Sequence, residues 1–217
     1  LSGPIAEIIL EMARRVKEDQ EIKIYPWKRS QLTVVESTKS VGIAPLSRTC
    51  EREDSYTWVV AIPEVRNSYD LLAIDPELHA MTPEELKEIE VGVLLGTPAV
   101  DFLRRDGFLN IQQVTKESQN IDKLRKKRIR AWVAPNLSAK YLYEQKGHDP
   151  KEIYTLKEFS HPVIYFAVSK ATSNEEVYLW RKALEEMRQD KSLEKIVLKY
   201  QDKLAPIDRP SIPDCKI

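Results

Sequence analysis

Between residues 5 and 200, short apolar runs alternate with segments of helical period, and this alternation is the strongest constraint on the fold. Ile5, Ile8, Ile9, Met12 and Val16 recur on one helix face behind Gly3-Pro4, a tolerated helix start. Residues 21–25 alternate as a strand, with Ile22 and Ile24 on one side, and Pro26 stops it. Residues 29–37 read as a helix with Leu32 and Val35 inward. A strand at 41–46 and strand candidates at 58–60 and 71–74 follow. After a loop at 75–82, Thr82-Pro83-Glu84-Glu85 is a strong helix start: a capping Thr, Pro in the first position, then Glu. The remainder repeats the pattern. Strands are expected at 90–95, 108–114, 129–134, 153–156 and 162–168. Helices are expected at 99–105, 120–127, 136–146 (capped by Asn136), 175–189 and 192–200. Helix and strand in such alternation make an α/β layer fold. Residues 204–217, with Pro206, Pro210 and Pro213, read as an extended tail.

The chain of 217 residues has room for one large or two small domains, and 42% hydrophobic residues suffice for a core. Lys+Arg 34 against Asp+Glu 34 leaves no global field toward nucleic acid or an anionic membrane. The basic run Lys123, Arg125, Lys126, Lys127, Arg128 and Arg130 reads as a solvated face. No apolar run approaches the roughly 18 residues of a membrane span. Cys50 and Cys215 lie far apart, and His79, His148 and His161 are scattered, so neither a metal site nor a cofactor is read.

Two strand ends carry the chemistry. The run 41–46 ends in Ser47 and Thr49, followed by a charged turn with Glu51, Arg52 and Glu53. Thr49 can cap a helical turn there, so hydroxyls, backbone N–H groups and one guanidinium collect at the end of a strand. That set suits a carboxylate, which a guanidinium meets with two parallel donors. The run 90–95 ends similarly in Gly96-Thr97-Pro98, with Pro98 opening a helix. In α/β sheets ligands sit beyond the C-terminal ends of strands. Trp27 reads either as a wall of such a site or as a packing residue, and Arg29 as solvated. Glu51 and Glu53 read as turn-surface residues without a catalytic partner.

The ordered set of these pieces resembles the type II periplasmic solute-binding proteins that serve amino-acid ABC transporters, extracellular solute-binding family 3. Gly3-Pro4-Ile5-Ala6-Glu7-Ile8 resembles the family's first helix, and Tyr25-Pro26-Trp27-Lys28-Arg29 a variant of its next motif. Val41-Gly42-Ile43 stands where Asp-Gly-Ile is usual, and Ser47-Arg48-Thr49-Cys50-Glu51-Arg52 resembles the Ser-x-Thr-x-x-Arg element. Val91-Gly92-Val93-Leu94-Leu95-Gly96-Thr97 resembles the opening of the second lobe. Lys127-Arg128-Ile129-Arg130-Ala131 resembles Gly-Arg-Ile-Asp-Ala, and residues 183–200 the closing helices.

The resemblance implies a two-lobed α/β protein with a ligand cleft between the lobes. Residues 1–74 and 169–217 would form lobe 1, and residues 75–168 lobe 2. It implies a solute-binding protein, not an enzyme, that captures a small carboxylate-bearing solute, an amino acid or related organic anion, for delivery to an ABC transporter permease. A sensor domain of a membrane receptor, or a dehydratase on the same fold, is the alternative. Trp27, Ser47, Thr49, Arg52, Thr97, Pro98 and Asn136 are the expected ligand-binding residues. A monomer made with a signal peptide, periplasmic or extracellular and membrane-tethered, with no nucleic-acid partner, is expected. In that compartment Cys50 and Cys215 are expected to pair. The family has a strand and loop before its first helix, so the natural chain is expected to extend before Leu1. Arg130 replaces the usual Asp, and Pro98 and Ala99 stand where polar residues are common. Pro135, beside Asn136, falls near where amino-acid binders carry the carboxylate for the α-amino group.

Overall fold

The computed structural model describes residues 3–17, 21–65 and 67–200. The chain opens with α1 (Pro4–Val16) and α2 (Trp27–Val35), then β1 (Gly42–Ser47), a 3-10 turn (Cys50–Ser55), β2 (Thr57–Ala61) and β3 (Tyr69–Ala73). A second 3-10 turn (Pro76–Ala80) leads to α3 (Pro83–Lys87), β4 (Val91–Leu94), α4 (Ala99–Arg105), β5 (Ile111–Val114) and α5 (Glu117–Arg125). The chain continues through β6 (Ala131–Pro135), α6 (Asn136–Gln145), β7 (Tyr154–Ser160), β8 (Ile164–Val168), α7 (Asn174–Gln189) and α8 (Ser192–Leu198). By contacts the described chain divides into two units: residues 3–17, 21–25, 29–65 and 162–200, and residues 26–28 and 67–161.

The first unit holds a three-stranded antiparallel sheet of order β1-β8-β2. The register of β1 against β8 shifts between Ile43 and Leu46, around Pro45. Proline has no N–H for the ladder, and an edge strand is where that gap is tolerated. Ile5, Ile8 and Met12 of α1 are buried, as are Val177, Trp180, Leu184 and Met187 of α7, which packs on α1 and β2. Phe166 of β8 meets Trp180 with ring centroids 4.8 Å apart.

The second unit holds a five-stranded sheet of order β5-β4-β6-β3-β7, with β4 parallel to β5 and β6, and β3 antiparallel to β6 and β7. Successive strand residues point to opposite faces, so this sheet has a core on each side. Leu71, Val91, Val93 and Val133 pack on one face with Leu103 of α4, and Leu72 and Trp132 on the other with Ile121, Leu124 and Tyr143. Gly92 keeps the second face close. A Cβ there would lie 2.4 Å from Asn120 Oδ1 and 2.6 Å from Ile129 Cδ1. At the end of β4, Gly96 takes φ +84°, the left-handed turn that glycine enters at least cost.

Several expectations are corrected. Residues 21–26 form no strand, and Ile24 is 79% exposed; no described strand offers this segment a ladder. In α2 the buried residues are Gln31 and Val34, while Leu32 and Val35 are each 44% exposed; two stripes one residue apart were available in this short helix. Helix α5 begins at Glu117, three residues earlier than expected, because Gln119 Oε1 accepts from the Thr115 and Lys116 N–H groups and caps it. Pro135, not Asn136, is the N-cap of α6. The division at residues 74 and 169 would place β3 and β8 in the lobes opposite to those their hydrogen bonds select. Both strands are apolar-rich five-residue runs buried throughout, and such a run carries no pattern naming its sheet. The capping box at Thr82 is present as expected, with Glu85 N donating to Thr82 Oγ1 and Thr82 N to Glu85 Oε2.

Candidate ligand-binding residues in each unit

In the first unit, the end of β1 and the 3-10 turn bring Ser47, Thr49 and Arg52 together. Ser47 is 9% exposed, and its carbonyl accepts from Arg52 Nη1 at 2.8 Å. The turn starts at Thr49, whose carbonyl accepts from Arg52 N at 3.0 Å. Thr49 stands at the N-cap but makes no capping bond; its Oγ1 is buried without a hydrogen-bond partner among the described residues. The helical turn is 3-10, so its cap geometry differs from that of the expected α-turn.

A clamp that the sequence reading did not anticipate spans this turn. Arg48 pairs with Glu53 through both its Nε, 2.8 Å from Oε2, and its Nη2. Its guanidinium lies 5.3 Å from the Trp58 ring centroid and 5.5 Å from that of Tyr165. Trp58 Nε1 in turn donates to the Glu53 carbonyl at 3.2 Å. The Arg48 hydrogen bonds hold the Glu53 carboxyl below its ordinary range, and Glu53 raises Arg48 further. Burial pushes the Tyr56 hydroxyl up, against the pull of the Arg52 charge.

In the second unit, Trp27 Nε1 donates to the Gly96 carbonyl at 3.2 Å, which ties Trp27 to the Gly96-Thr97-Pro98 turn. Thr97 Oγ1 donates to the Leu94 carbonyl at 2.8 Å, closing the end of β4. Pro98 is buried and is the N-cap of α4. Asn136 stands apart from these three in the bonding pattern. Its Nδ2 donates to Asp70 Oδ2 at 2.9 Å, and its backbone N–H to the Ser68 carbonyl at 2.9 Å. Asp70 Oδ2 also accepts from Thr155 Oγ1 at 3.0 Å. Asp70 is wholly buried, and burial pushes its carboxyl above the ordinary range, with Ser68, Thr155 and His161 opposing the rise and Glu158 adding to it. The expected pairing of Cys50 with Cys215 involves a residue outside those described; Cys50 is the first residue of the 3-10 turn. Arg130, which replaces the family's Asp, pairs with Asp75 at 2.6 Å.

No protein-family model matches the chain, and no curated protein sequence does. Solved structures match it over most of its length. An ancestral arginine-binding protein bound to glutamine has a TM-score of 0.77 at 21% identity, covering 91% of this chain and 87% of its own. The substrate-binding protein of an amino acid ABC transporter has a TM-score of 0.77 at 18% identity, covering 91% and 86%. An ancestral amino-acid-binding protein, a precursor of cyclohexadienyl dehydratase, has a TM-score of 0.74 at 16% identity, covering 94% and 85%. At these identities the likeness is one of fold. The chain has the two-lobed type II periplasmic binding protein fold, the one shared by amino-acid-binding proteins and the substrate-binding proteins of ABC transporters. Among the described residues, no helix is long and apolar enough to cross a membrane.

Proposed function

We propose that this protein is an extracytoplasmic solute-binding protein that captures a small carboxylate-bearing solute, an amino acid or a related organic anion, and delivers it to an ABC transporter permease. The observation that carries the reading is Arg52, half-buried and held to the Ser47 carbonyl at 2.8 Å in the turn that ends β1. A guanidinium so fixed is pre-organised for the planar, two-pronged recognition of a carboxylate, which Lys does not reproduce. Ser47 and the buried hydroxyl of Thr49 supply further hydrogen-bonding groups. Thr97, Pro98, Asn136 and the apolar ring of Trp27 are the second unit's candidate ligand-binding residues. The fold neighbours named for arginine, glutamine and amino-acid transport support a solute of this class. Glu53, a carboxylate close to Arg52 in sequence, is engaged by Arg48 and held below its ordinary pKa, which suits an ion pair better than proton transfer and favours binding over catalysis.

The test is native mass spectrometry to identify the copurifying solute, then calorimetric titration of wild type, Arg52→Ala and Arg52→Lys. Truncating a charged partner in a desolvated site costs about 2–5 kcal/mol, roughly 30- to 4,000-fold in affinity. Arg52→Lys is expected to recover only part of that loss. Unchanged affinity in Arg52→Ala, or a solute with no anionic group, refutes the assignment, and turnover of the solute refutes the binding role.

A further inference from the structure

The 3-10 turn that carries Arg52 has no buried residue of its own. Core packing therefore does not set its shape, and hydrogen-bond geometry in a 3-10 turn is poorer than in an α-helix. The Arg48–Glu53 pair brackets it instead. Arg48 precedes the N-cap Thr49, and Glu53 follows Arg52. The two side chains meet through Arg48 Nε, 2.8 Å from Glu53 Oε2, and through a second contact from Nη2 to Oε1. A two-pronged pair of this kind fixes orientation as well as distance.

The bracket is itself anchored to the sheet. The Arg48 guanidinium lies over the rings of Trp58 in β2 and Tyr165 in β8, which meet edge to face with centroids 5.4 Å apart. Tyr165 stands opposite Leu46 of β1 and Ala61 of β2 in the ladder. Trp58 Nε1 holds the other end by donating to the Glu53 carbonyl at 3.2 Å. Inside the bracket Arg52 N donates to the Thr49 carbonyl at 3.0 Å, and just outside it Arg52 Nη1 donates to the Ser47 carbonyl at 2.8 Å. The pair also cancels in charge, and an uncompensated carboxylate within a Debye length of an anion anchor repels the anion.

We propose that Arg48, Glu53 and Trp58 are positioning residues for solute binding: their clamp holds the turn in the shape that presents Arg52 to the solute's carboxylate. This rests on the reading above that Arg52 anchors a carboxylate. A turn ordered in advance has less freedom to lose on binding, and the difference appears as affinity. Clamp and charge act in opposite directions at Glu53. Were charge alone to govern the site, removing this carboxylate would tighten the hold on an anion. Where the clamp governs it, the same change weakens that hold.

The probes are the common L-amino acids and succinate, titrated calorimetrically into the full chain, and the tightest-binding of them is carried through the variants. Glu53→Gln is expected to weaken it about 3–10-fold, the range for ordering a side chain on binding. Trp58→Phe removes only the indole donor and changes no charge. It is expected to act in the same direction, and it serves if Glu53→Gln does not fold, as circular dichroism would reveal. Hydrogen exchange in the unliganded protein is expected to quicken at residues 50–55 in both variants. A merely stabilising role would lower the urea midpoint and leave the affinity of the folded protein unchanged. That result, or tighter binding by Glu53→Gln, overturns the inference. Arg52→Ala separates the two readings. A large loss there with none in Glu53→Gln removes the clamp alone. No loss in Arg52→Ala, or no probe bound, removes the carboxylate reading and the clamp with it.

Discussion

Glu117 is the group through which pH should act on the stability of the second unit. It is the first residue of α5, and its Oε2 accepts from Trp132 Nε1 at 2.9 Å and from Asn120 Nδ2 at 3.0 Å. Burial outweighs these two donors and raises the carboxyl from 4.5 to about 7. The unfolded chain therefore releases this proton near 4.5, while the folded chain keeps it to about 7. Between those values the folded state binds more protons, so stability falls as pH rises, and the loss is complete once pH exceeds about 7. The separation corresponds to about 3 kcal/mol. Because Glu117 is only half-buried by surface, solvent should reduce the effect to about 2 kcal/mol. Glu117→Gln keeps an oxygen to accept from Trp132 and Asn120 but cannot ionise. It is expected to match wild type near pH 5 and to exceed it by about 2 kcal/mol at pH 8, a rise in thermal midpoint of about 4–8 °C. Thermal and urea unfolding of both proteins across this range is the assay. The other titrating groups are common to both chains and cancel in the difference. Parallel stability profiles, or a Gln variant less stable at pH 8, would refute the reasoning.

Three further outcomes are expected. Gly92→Ala should lower stability by about 1–3 kcal/mol in urea unfolding, because its Cβ collides with the buried Asn120 and Ile129 side chains. An unchanged midpoint would mean that both side chains move aside freely. Arg48→Met should cost about 1–2 kcal/mol by removing the Glu53 pair and two aromatic contacts. A variant within about 0.3 kcal/mol of wild type would show that the clamp contributes nothing measurable. Ellman titration of the denatured, unreduced protein should find no thiol if Cys50 and Cys215 pair, and two thiols would exclude the bridge.

Element type was largely legible because it depends on local period. The face of Ile5, Ile8 and Met12, the capping box at Thr82 and the strand-turn-helix sequence at Gly96-Thr97-Pro98 all appear where periodicity and capping chemistry put them. Sheet membership was not legible for β3 and β8. Both are buried throughout, and which partner strands they join is decided by hydrogen bonds between residues far apart in sequence. The segment 21–25 shows the converse. Alternation there is present, but a strand needs a neighbour for its backbone groups, and local pattern cannot supply one.

The chemistry divides along the same line. Ser47, Thr49 and Arg52 fall within one turn, so their association could be read from spacing alone, and the Arg48–Glu53 clamp lies across that same turn, five residues apart. Asp70 belongs to the other kind. Its partners Asn136 and Thr155 lie 66 and 85 residues away, so nothing local announces them. One signal was nevertheless present: Tyr69-Asp70-Leu71-Leu72-Ala73 places a carboxylate inside an otherwise apolar run. A charge in such a strand must be exposed at an edge, neutralised, or provided with donors. β3 lies inside the sheet between β6 and β7, which removes the first choice. The donors from Asn136 and Thr155, which lie far along the chain, meet that requirement, while burial still raises the carboxyl.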